Sequence, residues 1–140
     1  MTLVAVRDAD TELVHATTVT SFAPVAADPP QVFVALGPGA QVLPFLEVGG
    51  AVGVSLLDES QAKWATIFAD AFPVEPPAWN GAGAPLLAGA VVALACTVRQ
   101  VHGMEGGASL VACRVEEVTL GEGDRPLLYW RRGYGRIGEG

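Results

Sequence analysis

The chain has 140 residues, 51% of them hydrophobic and 16% charged, with a formal net charge of −7. That length builds one domain, residues 1–140, whose core needs no disulfide or metal to hold it. The acidic balance excludes the broad basic surface that nucleic-acid phosphates require, and no apolar run reaches the ~18 residues of a membrane span.

The first residues, Met1-Thr2-Leu3-Val4, carry no basic n-region and no small-residue cleavage site, so the reading expects no secretory signal and a cytoplasmic protein. Residues 3–6 read as a short apolar strand. The turn-forming cluster Arg7-Asp8-Ala9-Asp10-Thr11 follows, and residues 12–19 return as the second arm of a hairpin. Four hydroxyls then fall within five residues, at Thr17, Thr18, Thr20 and Ser21, on a run whose β-branched residues favour an extended backbone. Strand alternation puts Thr18 and Thr20 on one side, with Thr17, Val19 and Ser21 on the other. Such a strand is either a solvated edge or the wall of a pocket where hydroxyls and backbone N–H groups meet a polar ligand. His15, beside it, either touches that ligand or is a strand histidine satisfied by the backbone. Asp28-Pro29-Pro30 ends the segment, because proline fixes φ, lacks an N–H and restricts the residue before it.

Residues 31–36 are nearly continuously apolar, which predicts a central strand buried on both faces. Gly37-Pro38-Gly39-Ala40 breaks it. From Gln41, the spacing of Val42, Phe45 and Leu46 predicts a helix with Pro44 in its first turn. The glycine loop is either a plain connection or a place where free N–H groups at a helix start hold a phosphate. Residues 51–57 read as another strand, and Asp58 with Gln61 as an N-cap with its capping-box partner. The helix runs to about residue 69, with Trp64, Ile67 and Phe68 on its core side. Residues 70–85 form a Pro/Gly-rich loop whose Phe72 and Trp79 either cover a flat ligand or anchor the loop.

Residues 90–101 and 109–120 are two long strands joined as a hairpin. Cys96 and Cys113 lie in them as small buried hydrophobes, and a disulfide would require their strands to pair. Residues 126–132 follow a further turn, and the tail 133–140 is expected to be loosely ordered at its end. Neither histidine has companions at metal-ligand spacing, and no nucleophile motif is present, so no catalytic side chain or metal site is assigned. About seven strands and two helices, with hairpin-length connections, predict a mainly β antiparallel barrel with helices packed outside.

The order of the pieces resembles the flavin-binding stretch of the flavin reductase-like, split-barrel family. There the stretch reads approximately T-A-S-S-F-x-S-V-S-x-D-P-P; here it is Thr18-Val19-Thr20-Ser21-Phe22-Ala23-Pro24-Val25-Ala26-Ala27-Asp28-Pro29-Pro30. The likeness continues through Val54-Ser55-Leu56-Leu57 with Gln61, then Trp79 with Gly83 and Pro85-Leu86-Leu87, then Leu94-Ala95-Cys96-Thr97-Val98. It ends in Pro126-Leu127-Leu128-Tyr129-Trp130-Arg131 with Tyr134. Two departures stand out. The family usually has Gly-Asp-His where this chain has Gly106-Gly107-Ala108, and often Arg, Ser and Thr where this chain has Pro38-Gly39-Ala40-Gln41.

The resemblance implies an antiparallel split β-barrel with two or so peripheral helices, and a homodimer with one flavin near each subunit boundary. FMN is the implied cofactor, with FAD the alternative, and NAD(P)H the co-substrate. The implied flavin contacts are Thr17, Thr18, Val19, Thr20, Ser21, Val25, Ala26, Gly39, Ala40, Gln41 and Tyr134. Members usually carry a helix before the first strand, where here only Met1 precedes Thr2, so a partner subunit is expected to cover the surface that helix would cover. The activity implied is reduction of flavin for a partner monooxygenase or for free flavin. A flavin-binding electron carrier and a flavin-free ligand-binding barrel stand as alternatives. Replacing Thr18 or Ser21 by Val is expected to weaken flavin binding with little loss of fold.

Overall fold

The computed structural model describes residues 1–70 and 72–138. The expected loose end of the tail, at residues 139 and 140, lies outside the described residues. Seven strands form one sheet: β1 (Thr2–Arg7), β2 (Val14–Val19), β3 (Phe22–Ala27), β4 (Pro30–Leu36), β5 (Ala51–Leu56), β8 (Val92–Gly103) and β9 (Ser109–Leu120). Between β5 and β8 lie one α-helix, α1 (Ala62–Asp70), and the two-residue strands β6 (Trp79–Asn80) and β7 (Leu86–Leu87). A small hairpin of β10 (Leu128–Trp130) and β11 (Gly133–Gly135) closes the order.

The large sheet runs β2-β1-β5-β8-β9-β4-β3 with every pair antiparallel. Its two end strands, β2 and β3, are consecutive in the chain and joined only by Thr20 and Ser21. The sheet therefore has to curl until its ends meet, and Ser21 marks the seam. Its hydroxyl donates to the Ala35 carbonyl at 2.8 Å and accepts the Ala35 N–H at 3.1 Å. The chain leaves the β1 edge and joins the β4 edge at that residue, an arrangement compatible with a split barrel.

Alternation sorts the apolar residues into two cores. Val4, Val6, Val19, Val32, Val34, Val52, Val54, Cys96, Val98 and Val111 fill the interior of the curled sheet. Leu3, Ala5 and Ala16 point the other way and meet Ala65 and Phe68 of α1, with Leu57, Leu87 and Leu127. Strand β1 is buried on both sides for this reason. The capping box expected at Asp58 is present: the Asp58 side chain accepts from the Ser60 N–H, and the Gln61 side chain accepts from the Asp58 N–H.

The structure departs from four expectations. The helix expected from Gln41 is a single 3-10 turn, Leu43–Phe45, because the apolar side chains that suggested helical spacing are drawn into the mouth of the barrel core. The strand expected to be buried on both faces, β4, alternates instead, with Val32, Val34 and Leu36 buried and Gln31, Phe33 and Ala35 half-buried. Residues 22–27 form a strand of their own, exposed from Pro24 to Ala27, which turns back into β4 at a cis Asp28–Pro29 bond. On α1, Ala65 and Phe68 carry the buried side, while Trp64 and Ile67 are half-buried. Cys96 and Cys113 are free and buried. Cys96 lies opposite Val115 and Cys113 opposite Val98, so the thiols are diagonal neighbours.

Candidate functional site

The Thr-rich run walls a cavity of about 320 Å³. Its lining includes Thr17, Thr18, Val19, Thr20 and Ser21 from the β2–β3 junction, with Ala35 and Gly37 from the end of β4, Ala69 from α1, and Tyr129 and Tyr134 from the terminal hairpin. Six expected site residues thus come together: Thr17, Thr18, Val19, Thr20, Ser21 and Tyr134. Val25, Ala26, Gly39, Ala40 and Gln41 do not line it. The sequence missed Met1, Ala35, Ala69 and Tyr129, while Gly37, the first residue of the expected glycine loop, does line it. Tyr129 alone carried a signal, being next to the other aromatic of its strand, Trp130, and opposite Tyr134 across the hairpin.

Three of the four hydroxyls already have work inside the fold. Thr18 Oγ1 donates to the Ala65 carbonyl of α1 at 2.7 Å, Thr17 Oγ1 accepts the Val42 N–H at 3.3 Å, and Ser21 holds Ala35 at the seam. The expectation that Thr18 or Ser21 could lose its hydroxyl with little cost to the fold is therefore corrected. Each removal breaks a tertiary hydrogen bond, from β2 to α1 at Thr18 or across the seam at Ser21. Thr20 is exposed and its hydroxyl makes no hydrogen bond among the described residues, so it is the one left for a ligand.

Next to this wall, Gly37-Pro38-Gly39-Ala40 makes a tight turn in which the Ala40 N–H donates to the Gly37 carbonyl at 3.0 Å. Among the described residues, the N–H groups of Gly39 and Gln41 enter no hydrogen bond. A three-residue turn offers no helix dipole of consequence, so any anion held here depends on those amides. On the far wall, burial raises the pKa of the Tyr134 phenol, against a smaller opposing effect from its hydrogen bond with Thr66, and the ring lies 5.3 Å from that of Tyr129. The terminal hairpin is held to α1 by packing of Tyr134 against the cluster that contains Ala65 and Phe68.

His15 is elsewhere. Its ring stacks on Phe45 at 4.0 Å and 14°, with Phe72 at 5.5 Å, so aromatic packing replaces the backbone partner expected for it. Phe72 serves this packing, and Trp79 packs on Phe68 at 5.9 Å, which makes both of them loop anchors. A cavity of about 550 Å³ at the other end of the β1–β2 hairpin is lined by Asp8, Asp10 and Glu47 beside Arg7. Its excess of carboxylates opposes a phosphorylated ligand. Among the described residues no cluster of three or more His, Cys, Asp or Glu is placed to hold a metal ion, and no helix is long and apolar enough to cross a membrane.

The family model for the flavin reductase like domain matches residues 1–138. The chain belongs to the flavin reductase-like family. Among its relatives is the reductase component of 4-hydroxyphenylacetate 3-monooxygenase from Thermus thermophilus, 35% identical over 137 residues, covering 98% of this chain and 87% of the relative. The solved structure of the styrene monooxygenase flavin reductase from Pseudomonas putida superposes with a TM-score of 0.83 at 31% identity, covering 99% of this chain and 91% of that one. An NADH:FAD oxidoreductase from Streptomyces globisporus, in complex with NAD and FAD fragments, superposes at 0.85 with 27% identity, covering 98% and 84%. Against the family pattern, the turn between β8 and β9 presents only Gly106, Gly107 and Ala108 where an imidazole is usual.

Proposed function

We propose that residues 1–140 form one flavin reductase-like domain that binds FMN in the cavity between the Thr17–Ser21 wall and Tyr134, and reduces it with NADH or NADPH. The reading rests on one observation: in a chain of this family, the polar β2–β3 junction and an aromatic wall converge on one cavity, and the Gly37–Gln41 turn begins at its edge. A flavin fits that set, because a planar ring needs an apolar-aromatic wall with a few hydroxyl and N–H partners, and its phosphate needs unpaired donors. Hydride acceptance and electron delivery are the chemistry the bound flavin supplies.

The protein's own residues orient and shield. Thr20 offers a hydroxyl to the polar edge of the ring, and Tyr129 with Tyr134 excludes water from one side. Gly39 and Gln41 donate N–H groups to the phosphate. Val25 and Ala26 lie on the exposed strand β3, outside the cavity, and reach a flavin only at a subunit boundary. That placement supports a homodimer, in which a second subunit would cover the exposed apolar residues Val25, Val101, Val118 and Leu120. The names of the relatives, reductases that serve monooxygenases or use NADH, support delivery of reduced flavin to a partner oxygenase.

The test is an FMN titration followed by flavin fluorescence, with NADH and then NADPH added anaerobically. Quenching on binding and bleaching of the yellow absorbance on addition of nicotinamide are expected. A second reading, a flavin-binding electron carrier, is favoured by the bare Gly107-Ala108 turn, and quenching without bleaching would establish it instead.

A further inference from the structure

The two places where the chain departs from its family touch each other. Gly107, in the turn between β8 and β9, has φ +91°, and a Cβ built on it would stand 3.1 Å from Pro38 Cβ and 3.6 Å from Pro38 Cγ. Its N–H is tied to the Met104 carbonyl at 3.1 Å, and Met104 to Ala108 at 2.7 Å, so this turn is a fixed surface. Pro38 is the second residue of the turn that holds the free amides of Gly39 and Gln41. That turn is fastened on its other side by Thr17, through the Val42 N–H. The Gly37–Gln41 segment is therefore gripped between the barrel wall and the β8–β9 turn, and the missing side chain at 107 is the space the Pro38 ring approaches.

We propose that Gly107 is a positioning residue for the flavin phosphate: acting through Pro38, it sets where the Gly39 and Gln41 amides stand, and so sets the preference for a phosphorylated flavin over riboflavin. The inference rests on the flavin-binding reading above. A contact of 3.1 Å is tighter than nine in ten Cβ contacts, so a methyl at 107 makes Pro38 give by a few tenths of an ångström, and the amides on either side of Ala40 shift with it. Pro38 has no N–H of its own and a fixed φ, so it passes on the displacement rather than absorbing it. An Asp-His pair restored at 107 and 108 would meet the same obstacle while Pro38 stays.

The neighbouring glycine supplies the control. Gly106 has nearly the same backbone, φ +86°, yet a Cβ there meets nothing within 4 Å. Gly106→Ala thus reports the cost of a side chain at positive φ alone, and Gly107→Ala adds the push on Pro38. The experiment measures FMN and riboflavin affinities by fluorescence quenching for wild type, Gly106→Ala, Gly107→Ala, Pro38→Gly and the Gly107→Ala/Pro38→Gly pair. Wild type is expected to prefer FMN. Gly107→Ala is expected to lose about tenfold in FMN affinity with riboflavin affinity unchanged, Gly106→Ala to lose neither, and the double variant to lose less than the single changes combined.

Equal loss of FMN and riboflavin in Gly107→Ala would overturn the proposal, since a general disturbance of the fold moves both ligands. Should Gly107→Ala not fold, Pro38→Gly decides alone, because Pro38 is exposed and its loss endangers no core. Selective weakening of FMN supports the clasp, and unchanged FMN affinity refutes it. A wild-type protein that binds neither flavin would instead refute the flavin-binding reading itself.

Discussion

Thr18 and Thr20 lie two residues apart at the same seam, yet their hydroxyls have different partners. The Thr18 hydroxyl is spent on the Ala65 carbonyl of α1 at 2.7 Å, whereas the Thr20 hydroxyl makes no hydrogen bond and faces solvent. Thr18→Val removes a partly buried hydrogen bond that ties β2 to α1, which costs about 1 kcal/mol and lowers Tm by roughly 3–5 °C for a chain of this size. Thr20→Val removes nothing the fold uses. Its expected signature is the reverse, an unchanged Tm with FMN affinity reduced about fivefold, the worth of one ordinary hydrogen bond. Thermal denaturation of both variants without flavin, beside FMN titrations, separates the two roles. A Thr20→Val protein that binds FMN as wild type does would remove Thr20 from the site.

At the scale of elements, close backbone crossings decide what the strands tolerate. Strand β5 passes beneath the segment leading into β7 at Gly53, where an added Cβ would fall 1.7 Å from the Pro85 carbonyl oxygen. The Ser55 hydroxyl fixes the same crossing by accepting the Leu87 N–H at 3.0 Å. Neither backbone can retreat without breaking the ladders on either side, so Gly53→Ala is expected to cost about 3 kcal/mol or more. Chemical denaturation measures it. The start of α1 is governed by a gentler contact. Hydrogen bonds from the Ser60 hydroxyl and N–H hold the Asp58 carboxyl below its ordinary pKa. A carboxyl depressed in the folded state stabilises above its unfolded pKa and loses that contribution as pH falls. The cap, worth about 1 kcal/mol, is therefore present at neutral pH and fades below about pH 4. Asp58→Ala should lower Tm at pH 7 and converge on wild type in acid.

These elements also show what the sequence could express. The capping box and the β8–β9 hairpin were legible because each is local, written in residues three apart or in two apolar runs around a turn. The strand β3 was not, since Ala23-Pro24-Val25-Ala26 carries no alternation and is held by β4 across the cis Asp28–Pro29 turn. The helix expected from Gln41 failed for a related reason: Val42, Leu43, Phe45 and Leu46 have helical spacing, but the barrel mouth draws them in after a single turn. The site was half legible. The hydroxyl run is contiguous and announced itself, as did the glycine loop that begins at Gly37, whereas Ala35, Ala69 and Tyr129 join it only through the curl of the sheet and the docking of the terminal hairpin.

For the molecule as a whole, the two thiols make a probe of the curled sheet. Cys96 and Cys113 sit among the valines of the interior, and burial pushes their pKa values up to about 12 and about 11. A thiol raised in the folded state keeps its proton where the unfolded chain has lost it. Stability is thus undiminished by the thiols below the unfolded thiol pKa of ~8.5 and declines as pH rises from there toward about 11 and about 12. The thiolate is the nucleophile, so neither sulfur reacts with a disulfide reagent at pH 8 while the barrel is shut. Labelling then requires opening of β8 from β9, the two central strands that carry the cysteines. Both thiols are expected to react with one slow rate in the folded protein and at once in denaturant. Because flavin would bind the closed form alone, saturation at a hundred times its Kd should slow labelling by about a hundredfold. Fast labelling of one cysteine, or a rate indifferent to FMN, would mean that the barrel opens locally at the hairpin without disturbing the cavity at the β2–β3 seam.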